Sequence, residues 1–238
     1  MRGRIAGYDL RTNAPAEAAD FYGQVLGWET PAPDGDPIRR VGTLPVSTGS
    51  PHGPHWLCHL TVEQLAMALE MVTALGGRLL DGSDADRPVV QGPGGCIFRL
   101  VLGDPDASEE SAEVQAAVAW NECITEHFDE DWNFVAGLFG WLDRGTMTHP
   151  DGRQYRMFGR DHRIGNGLGA FSTRSADLHR PGWVIYFTVD DLTPRLAKVS
   201  EGGGTVTSTP MQLPNGDWVV RCRDPHGAVF ALHSSSKS

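Results

Sequence analysis

Apolar and polar positions alternate in short runs along this chain, and each run leads into a helical pattern or a turn. In "YDLRT" (8–12) the alternation has the period of two expected of a strand with one buried face. The next stretch, "APAEAADFYGQVLGW" (14–28), places Ala18, Phe21, Tyr22 and Val25 at helical spacing, with Asn13 positioned to cap the helix. Short strand-like segments follow, such as "RRVGTL" (39–44). The pattern then restarts with the strand "WLCHLTV" (56–62) and the helix "EQLAMALEMVTALGG" (63–77), closed by Gly76 and Gly77. "RPVVQG" (87–92) and "GGCIFRLVL" (94–102) complete that half. Each half reads as a strand, a helix and about three further strands, a βαβββ module.

The same text then returns. "GYDLRTNAPAEAADFYGQVLGW" (7–28) aligns without a gap on "WNECITEHFDEDWNFVAGLFGW" (120–141), matching Thr12 to Thr125, Phe21 to Phe134 and Gly27 to Gly140. "WLCHLTVEQLAMALEMVTALGG" (56–77) aligns on "WVIYFTVDDLTPRLAKVSEGGG" (183–204), and "GPGGCIFRLV" (92–101) on "DPHGAVFALH" (224–233). Three blocks in one order describe two copies of one domain. Between them "GDPDASEESAEVQ" (103–115) is acidic and poor in apolar residues, which reads as a solvated linker. The expected domains are 1–103 and 116–238, joined by 104–115. The first copy has a shorter middle stretch, 29–56 against 142–183, so its third and fourth strands are expected to be truncated.

Composition narrows the partners. A net charge of −10 and a pI near 5.3 argue against nucleic acid, which needs clustered Lys and Arg to displace counterions. No run approaches the roughly 20 apolar residues that span a bilayer, and the N-terminus has no apolar signal core. A cytoplasmic protein without nucleic-acid or membrane partners, monomeric or a homodimer, is the expectation. Cys58, Cys96, Cys123 and Cys222 form no CxxC pair and stand in apolar runs, so they read as small buried thiols. "SPHGPHW" spaces His52 and His55 as HxxH, but Pro and Gly break the helix that would align them. No GxSxG, Walker or dinucleotide-binding glycine motif is present.

The "FYGQVLGW" helix end, the "VDDL" helix start and the closing "DPHGAVFAL" strand together resemble the vicinal oxygen chelate superfamily, which includes glyoxalase I, bleomycin-resistance proteins and extradiol dioxygenases. The narrower resemblance is to tandem glyoxalase-like proteins of actinobacteria. It implies an α+β fold of tandem βαβββ modules: two glyoxalase-like domains, each with a curled mixed sheet around a cleft. It also implies a divalent metal, held by His or Gln at first-strand starts and by Glu in last strands, the ligand chemistry such an ion needs. At those places this chain has Gly7, Leu57, Trp120 and Val184, then Arg99 and Ala231, and "VGTLPVSTG" (41–49) and "RIGNGLGAFS" (163–172) hold no carboxylate. No metal and no cofactor are therefore expected. An unconventional site would have to use Asp9 with His59, or Glu122 with His233.

Residues two apart on a strand share a face. The first copy's cleft then offers Asp9, His59 and Arg99, and the second's Trp120, Glu122, Tyr186 and His233. Each has a plainer reading: a carboxylate bonding backbone, a satisfied core histidine, an aromatic ring that only packs. Copy two, with two aromatics, a carboxylate and a histidine, suits a planar, oxygenated organic ligand. Three functions stay open: a metal-independent binder of a small aromatic or polyoxygenated molecule; a lyase, isomerase or oxygenase-like enzyme of a specialised-metabolite pathway using Glu122 and His233 as acid–base groups; and a partner-binding protein with a filled cleft.

Overall fold

The strands and helices of this computed structural model follow the expected module order. The structure describes residues 3–28, 40–43 (backbone), 53–80, 84–103, 117–148, 152–162, 167–173 and 181–237. The expected linker 104–115 and His52 lie outside them.

The first module opens with β1 (Ile5–Thr12), α1 (Pro15–Leu26) and β2 (Arg40–Thr43). Asn13 does not cap α1. Ala14 is the N-cap, Pro15 supplies a preset φ at the first turn, and the Thr12 hydroxyl accepts the Ala14 N–H at 3.2 Å. Gly27 ends the helix at φ 75°, where a side chain would be strained. The second module is β3 (His55–Val62), α2 (Leu65–Ala74), β4 (Arg78–Leu79), β5 (Val89–Gln91) and β6 (Ile97–Leu102). The third is β7 (Val118–Thr125), α3 (Phe128–Phe139), β8 (Leu142–Thr148), β9 (Gln154–Gly159) and β10 (Gly167–Thr173). It repeats the α1 solution: Thr125 accepts the His127 N–H at 3.1 Å, and Gly140 closes α3 at φ 64°. The fourth is β11 (Gly182–Thr188), α4 (Leu192–Glu201), β12 (Thr205–Val206), β13 (Met211–Gln212), β14 (Trp218–Arg223) and β15 (Val229–Ser234).

In three modules the first strand runs parallel to the last, as β3 with β6, β7 with β10 and β11 with β15, and the other pairs are antiparallel. In the first module β1 pairs parallel with β2, so residues 40–43 occupy the last-strand place. Only residues 27–39 separate α1 from that strand, where 140–166 separate α3 from β10. No helix among the described residues is long and apolar enough to cross a membrane.

Packing groups the modules crosswise. One compact unit is Met1–Gly7, Leu57–Glu110 and Asn121–Trp183; the other is Tyr8–Trp56, Ser111–Trp120 and Val184–Ser238. The segments 1–103 and 116–238 are copies in sequence, but each compact unit takes one module from either copy. Side chains show why. In the first unit the carboxylate of Asp131 on α3 accepts the N–H of Gly94 (2.9 Å) and of Cys96 (3.2 Å), and the Thr125 hydroxyl (2.6 Å). The second copy's helix thereby holds the first copy's closing turn. In the second unit Tyr22 on α1 donates to Asp224 at 3.2 Å, while Asp224 itself accepts the N–H of His226 and Ala228. Phe98, Phe134, Phe139, Phe158 and Phe171 fill the first unit's core, and Phe21, Tyr22, Trp56, Phe187 and Phe230 the second's. Each such ring, fully buried, contributes about 1.5–3 kcal/mol.

Candidate functional site

Alternation along each first strand sends one set of side chains to the helices and the other to the opposite face. Tyr8, Leu10 and Thr12 lie on the helix side of β1, as do Cys123 and Thr125 on β7. Strand register makes the opposite set equivalent in all four modules: Asp9 stands beside Arg40, His59 beside Arg99, Glu122 beside Ala170 and Tyr186 beside Ala231. Four of the seven expected site residues thus hold one structural position. Their grouping differs from the expectation, because the units are not the copies. His59, Arg99 and Glu122 belong to the first unit; Asp9, Trp120, Tyr186 and His233 belong to the second. The pairs Asp9–His59 and Glu122–His233 each join residues of different units.

The first unit's face is deeply buried. His59, Arg99, Glu122 and Ser172 are all buried. Arg87 donates through Nη2 to His59 Nδ1 at 3.3 Å, and Ser172 donates to Glu122 Oε1 at 2.7 Å. Burying charges costs several kcal/mol per ion unless hydrogen bonds compensate, and these contacts supply part of that compensation.

The second unit's face is more open and chemically mixed. Across β11, β15 and β14, Tyr186, Ala231 and Arg221 are in register. Neighbouring strands lie about 4.8 Å apart, so the Tyr186 and Arg221 strands are about 10 Å apart with only the Ala231 methyl between them. Tyr186 and Arg221 thus flank Ala231, which is fully buried, in one row on this face of the sheet. One step along the strands, Thr188, His233 and Val219 form the adjoining row. His233 Nε2–H donates to Asp217 Oδ2 at 3.0 Å, and Asp217 also accepts from Asn215 Nδ2 at 2.8 Å. His233 Nδ1 is buried and has no hydrogen-bond partner among the described residues. With Nε2 protonated toward the carboxylate, Nδ1 carries the lone pair. Trp120 and Arg223 are half-buried.

The donor set does not fit the metal of the resemblance. Arg99 brings a cation and Ala231 a methyl to the places of the last-strand carboxylate, and Leu57 and Val184 bring alkyl groups to the first strands. Among the described residues no three His, Cys, Asp or Glu side chains are grouped to hold an ion. His55 contacts the Gly53 carbonyl through Nδ1 at 2.8 Å.

Sequence reasoning missed Arg221, Asp217, Arg87 and Ser172. Arg221 had a signal, since "WVVRCR" (218–223) alternates and puts it two residues from Val219. Asp217 had none, because its pairing with His233 depends on strand register across sixteen positions.

Comparison with known proteins agrees with this architecture. Residues 8–109 match the family model of the glyoxalase-like domain. The anthracycline biosynthesis protein DnrV of Streptomyces peucetius is 28% identical, over 97% of this chain and 92% of its own length. Among solved structures, 2,2',3-trihydroxybiphenyl 1,2-dioxygenase from Sphingomonas wittichii superposes with a TM-score of 0.64 at 13% identity, covering 98% of this chain and 91% of that one. The Mn(II)-bound glyoxalase from Novosphingobium aromaticivorans gives 0.61 at 12% identity, covering 98% and 82%. Residues 8–109 thus match the model of a glyoxalase-like domain, and the whole chain has the fold of the glyoxalase and extradiol dioxygenase structures on which it superposes.

Proposed function

We propose that this chain binds a planar, oxygenated aromatic molecule on the open face of its second unit, without a metal, and serves the specialised-metabolite pathway that makes it. The observation that carries this reading is the row of Tyr186, Ala231 and Arg221 in register. A superfamily fold that uses this place for a carboxylate ligand here has a methyl, flanked by the Tyr186 ring and the Arg221 guanidinium. Rings stack on an aromatic wall while a few polar groups fix orientation. Trp120 adds a second ring, at a first-strand start where the superfamily places a metal ligand. The name of the relative DnrV points to anthracyclines, whose fused hydroxyquinone rings match such a row in polarity.

Titration with 1,2-dihydroxyanthraquinone, followed by quenching of tryptophan emission and by calorimetry, tests the reading. The parent should bind it saturably at one site. Trp120→Ala, with its fold checked by circular dichroism, should weaken binding about thirtyfold, equivalent to about 2 kcal/mol. Undiminished binding by that variant, with loss on changing His59 or Arg99, would move the site to the first unit. Elemental analysis should find well under one transition-metal ion per dialysed chain; one per chain would end the metal-independent part.

A further inference from the structure

We propose that His233 and Asp217 form a proton-accepting pair that takes up the ligand's most acidic phenol proton, so that the ligand binds as a phenolate beside Arg221. The inference rests on the ligand reading above and adds the ionisation state of what is bound.

Three features of the second unit carry it. First, the Asp217 carboxylate engages Nε2, which fixes the imidazole and leaves Nδ1 as the acceptor. Second, Nδ1 is buried with no hydrogen-bond partner among the described residues. A buried acceptor left unmade is unfavourable, and a ligand hydroxyl is the donor that would satisfy it. Third, Arg221 stands on the same face, opposite Ala231, while Val219 opposes His233. The charged and titratable groups on this face are Asp217, Arg221 and Arg223 from β14 and its approach and Tyr186 from β11, and Asp9 on β1 of the same unit holds the position equivalent to Tyr186. The corresponding position of the first unit's closing strand is Val101, so that face has no such pair.

The step moves one proton and no other atom. The phenol O–H bond breaks, its electron pair stays on oxygen, and the proton bonds to Nδ1. The imidazolium is then balanced by Asp217 and the phenolate by Arg221. The ligand class this selects is a phenol conjugated with or hydrogen-bonded to a quinone carbonyl, where the negative charge is delocalised. His233 is the group that touches the ligand; Asp217 acts through it as a positioning residue.

The visible absorption of 1,2-dihydroxyanthraquinone reports its ionisation directly. With full-length protein in excess, the bound dye should show the anion spectrum at pH values where the free dye is neutral, an apparent acidity at least tenfold higher. His233→Gln and Asp217→Asn should both abolish that shift, read at protein concentrations raised until all the dye is bound so that a change in affinity does not enter the spectrum. A bound dye that titrates like free dye, or a shift that survives in both variants, would overturn the proposal and leave the ligand site standing. Failure of the parent to bind the dye at all would overturn the ligand reading and this inference with it.

Discussion

Removing the carboxylate of Asp131 should cost this protein more stability than any change at its ligand face. Asp131 is fully buried, and its two oxygens accept two backbone N–H groups, of Gly94 and Cys96, and the Thr125 hydroxyl. Hydrogen bonds to a charged group contribute about 1.5–3 kcal/mol each, and buried donors left unmade cost a similar amount. The three share one acceptor and do not add fully, so Asp131→Ala should lose about 4 kcal/mol. For a chain of this size that is a fall in Tm of roughly 8–16 °C. The repeat supplies a rescue. Aligned on the second unit, Gly92, Cys96 and Asp131 correspond to Asp224, Ala228 and Ala18. There the turn's own Asp224 accepts the amides of His226 and Ala228, at 3.0 and 2.8 Å. The two units hold one turn with one carboxylate, placed on the turn in one and on the helix in the other. A Cβ at Gly92 would lie 2.5 Å from Asp131 Oδ1 and 2.7 Å from Cys96 Sγ, so Gly92→Asp alone should destabilise. Gly92→Asp/Cys96→Ala/Asp131→Ala clears these two obstacles, leaves Phe134 Cδ1 at 2.9 Å, where the second unit accommodates the corresponding Phe21, and should recover at least half of the loss. Thermal melts by circular dichroism and amide exchange at Gly94 read this out. If Asp131→Ala melts within about 2 °C of the parent, or if the triple variant is no more stable than Asp131→Ala, the reasoning is wrong.

Three further outcomes follow from the same packing. Burial pushes the Cys222 thiol up to about 12, and burial first of all also raises Cys96 and Cys123, so none of these should react with a thiol reagent at pH 8 until the chain is denatured. Burial also raises the Asp224 carboxyl above 3.8, against the backbone N–H groups that lower it. The folded state therefore holds this proton more tightly than the unfolded one; stability contributed by the protonated group is lost as pH rises from 3.8 through the raised value, and Asp224→Asn should remove that slope from denaturant titrations. A protease cut engineered between residues 104 and 115 should leave both fragments in one particle by size exclusion, since each compact unit contains parts of both; two separable stable fragments would contradict the crosswise grouping.

Module order was legible because it depends on local spacing. The helix pattern of Ala18, Phe21, Tyr22 and Val25 carries over directly into α1, whereas β3 and β11 are buried along nearly their whole length, so burial does not repeat the alternation read around His59 and Tyr186. What depends on which module packs against which was not legible. Two copies with the same apolar faces can pair within a copy or across copies, and hydrophobic pattern is the same either way. The residue that distinguishes the pairings is Asp131, a charge in a helix otherwise apolar on its buried side, set against a turn written with Gly92 and Gly94. A buried carboxylate facing two glycines where the other copy has Asp224 was a signal in the sequence, though only a structure shows the two ends meeting. Asn13 failed as a cap for a smaller reason: Pro15 and the Thr12 hydroxyl already settle the entry to α1.

The fourfold equivalence of Asp9, His59, Glu122 and Tyr186 gives the duplicated scaffold a physical logic. A face that must bind a ligand needs polar groups whose hydrogen bonds are incomplete until the ligand arrives, and such groups destabilise the empty protein. One unit here has gone the other way. Its equivalent positions hold His59, Arg99 and Glu122, buried, with His59 and Glu122 hydrogen-bonded to Arg87 and Ser172. Those hydrogen bonds offset part of the cost of burying the groups. The other unit keeps Ala231 small, leaves His233 Nδ1 without a partner among the described residues, and sets Arg221 where an anion would meet it. The strand written twice therefore differs in its two places: Arg99 is a buried charge beside His59, while Ala231 is a buried methyl between Tyr186 and Arg221. Exchanging them tests the division. Arg99→Ala should destabilise the first unit without changing dye affinity, whereas Ala231→Arg, which sets a charge in a fully buried position, should abolish dye binding and lower stability, with circular dichroism at low temperature checking that the fold persists. Were Arg99→Ala to weaken dye binding and Ala231→Arg to leave it intact, the working face would be the first unit's, and the polar groups buried there would have to be read as a site rather than as structure.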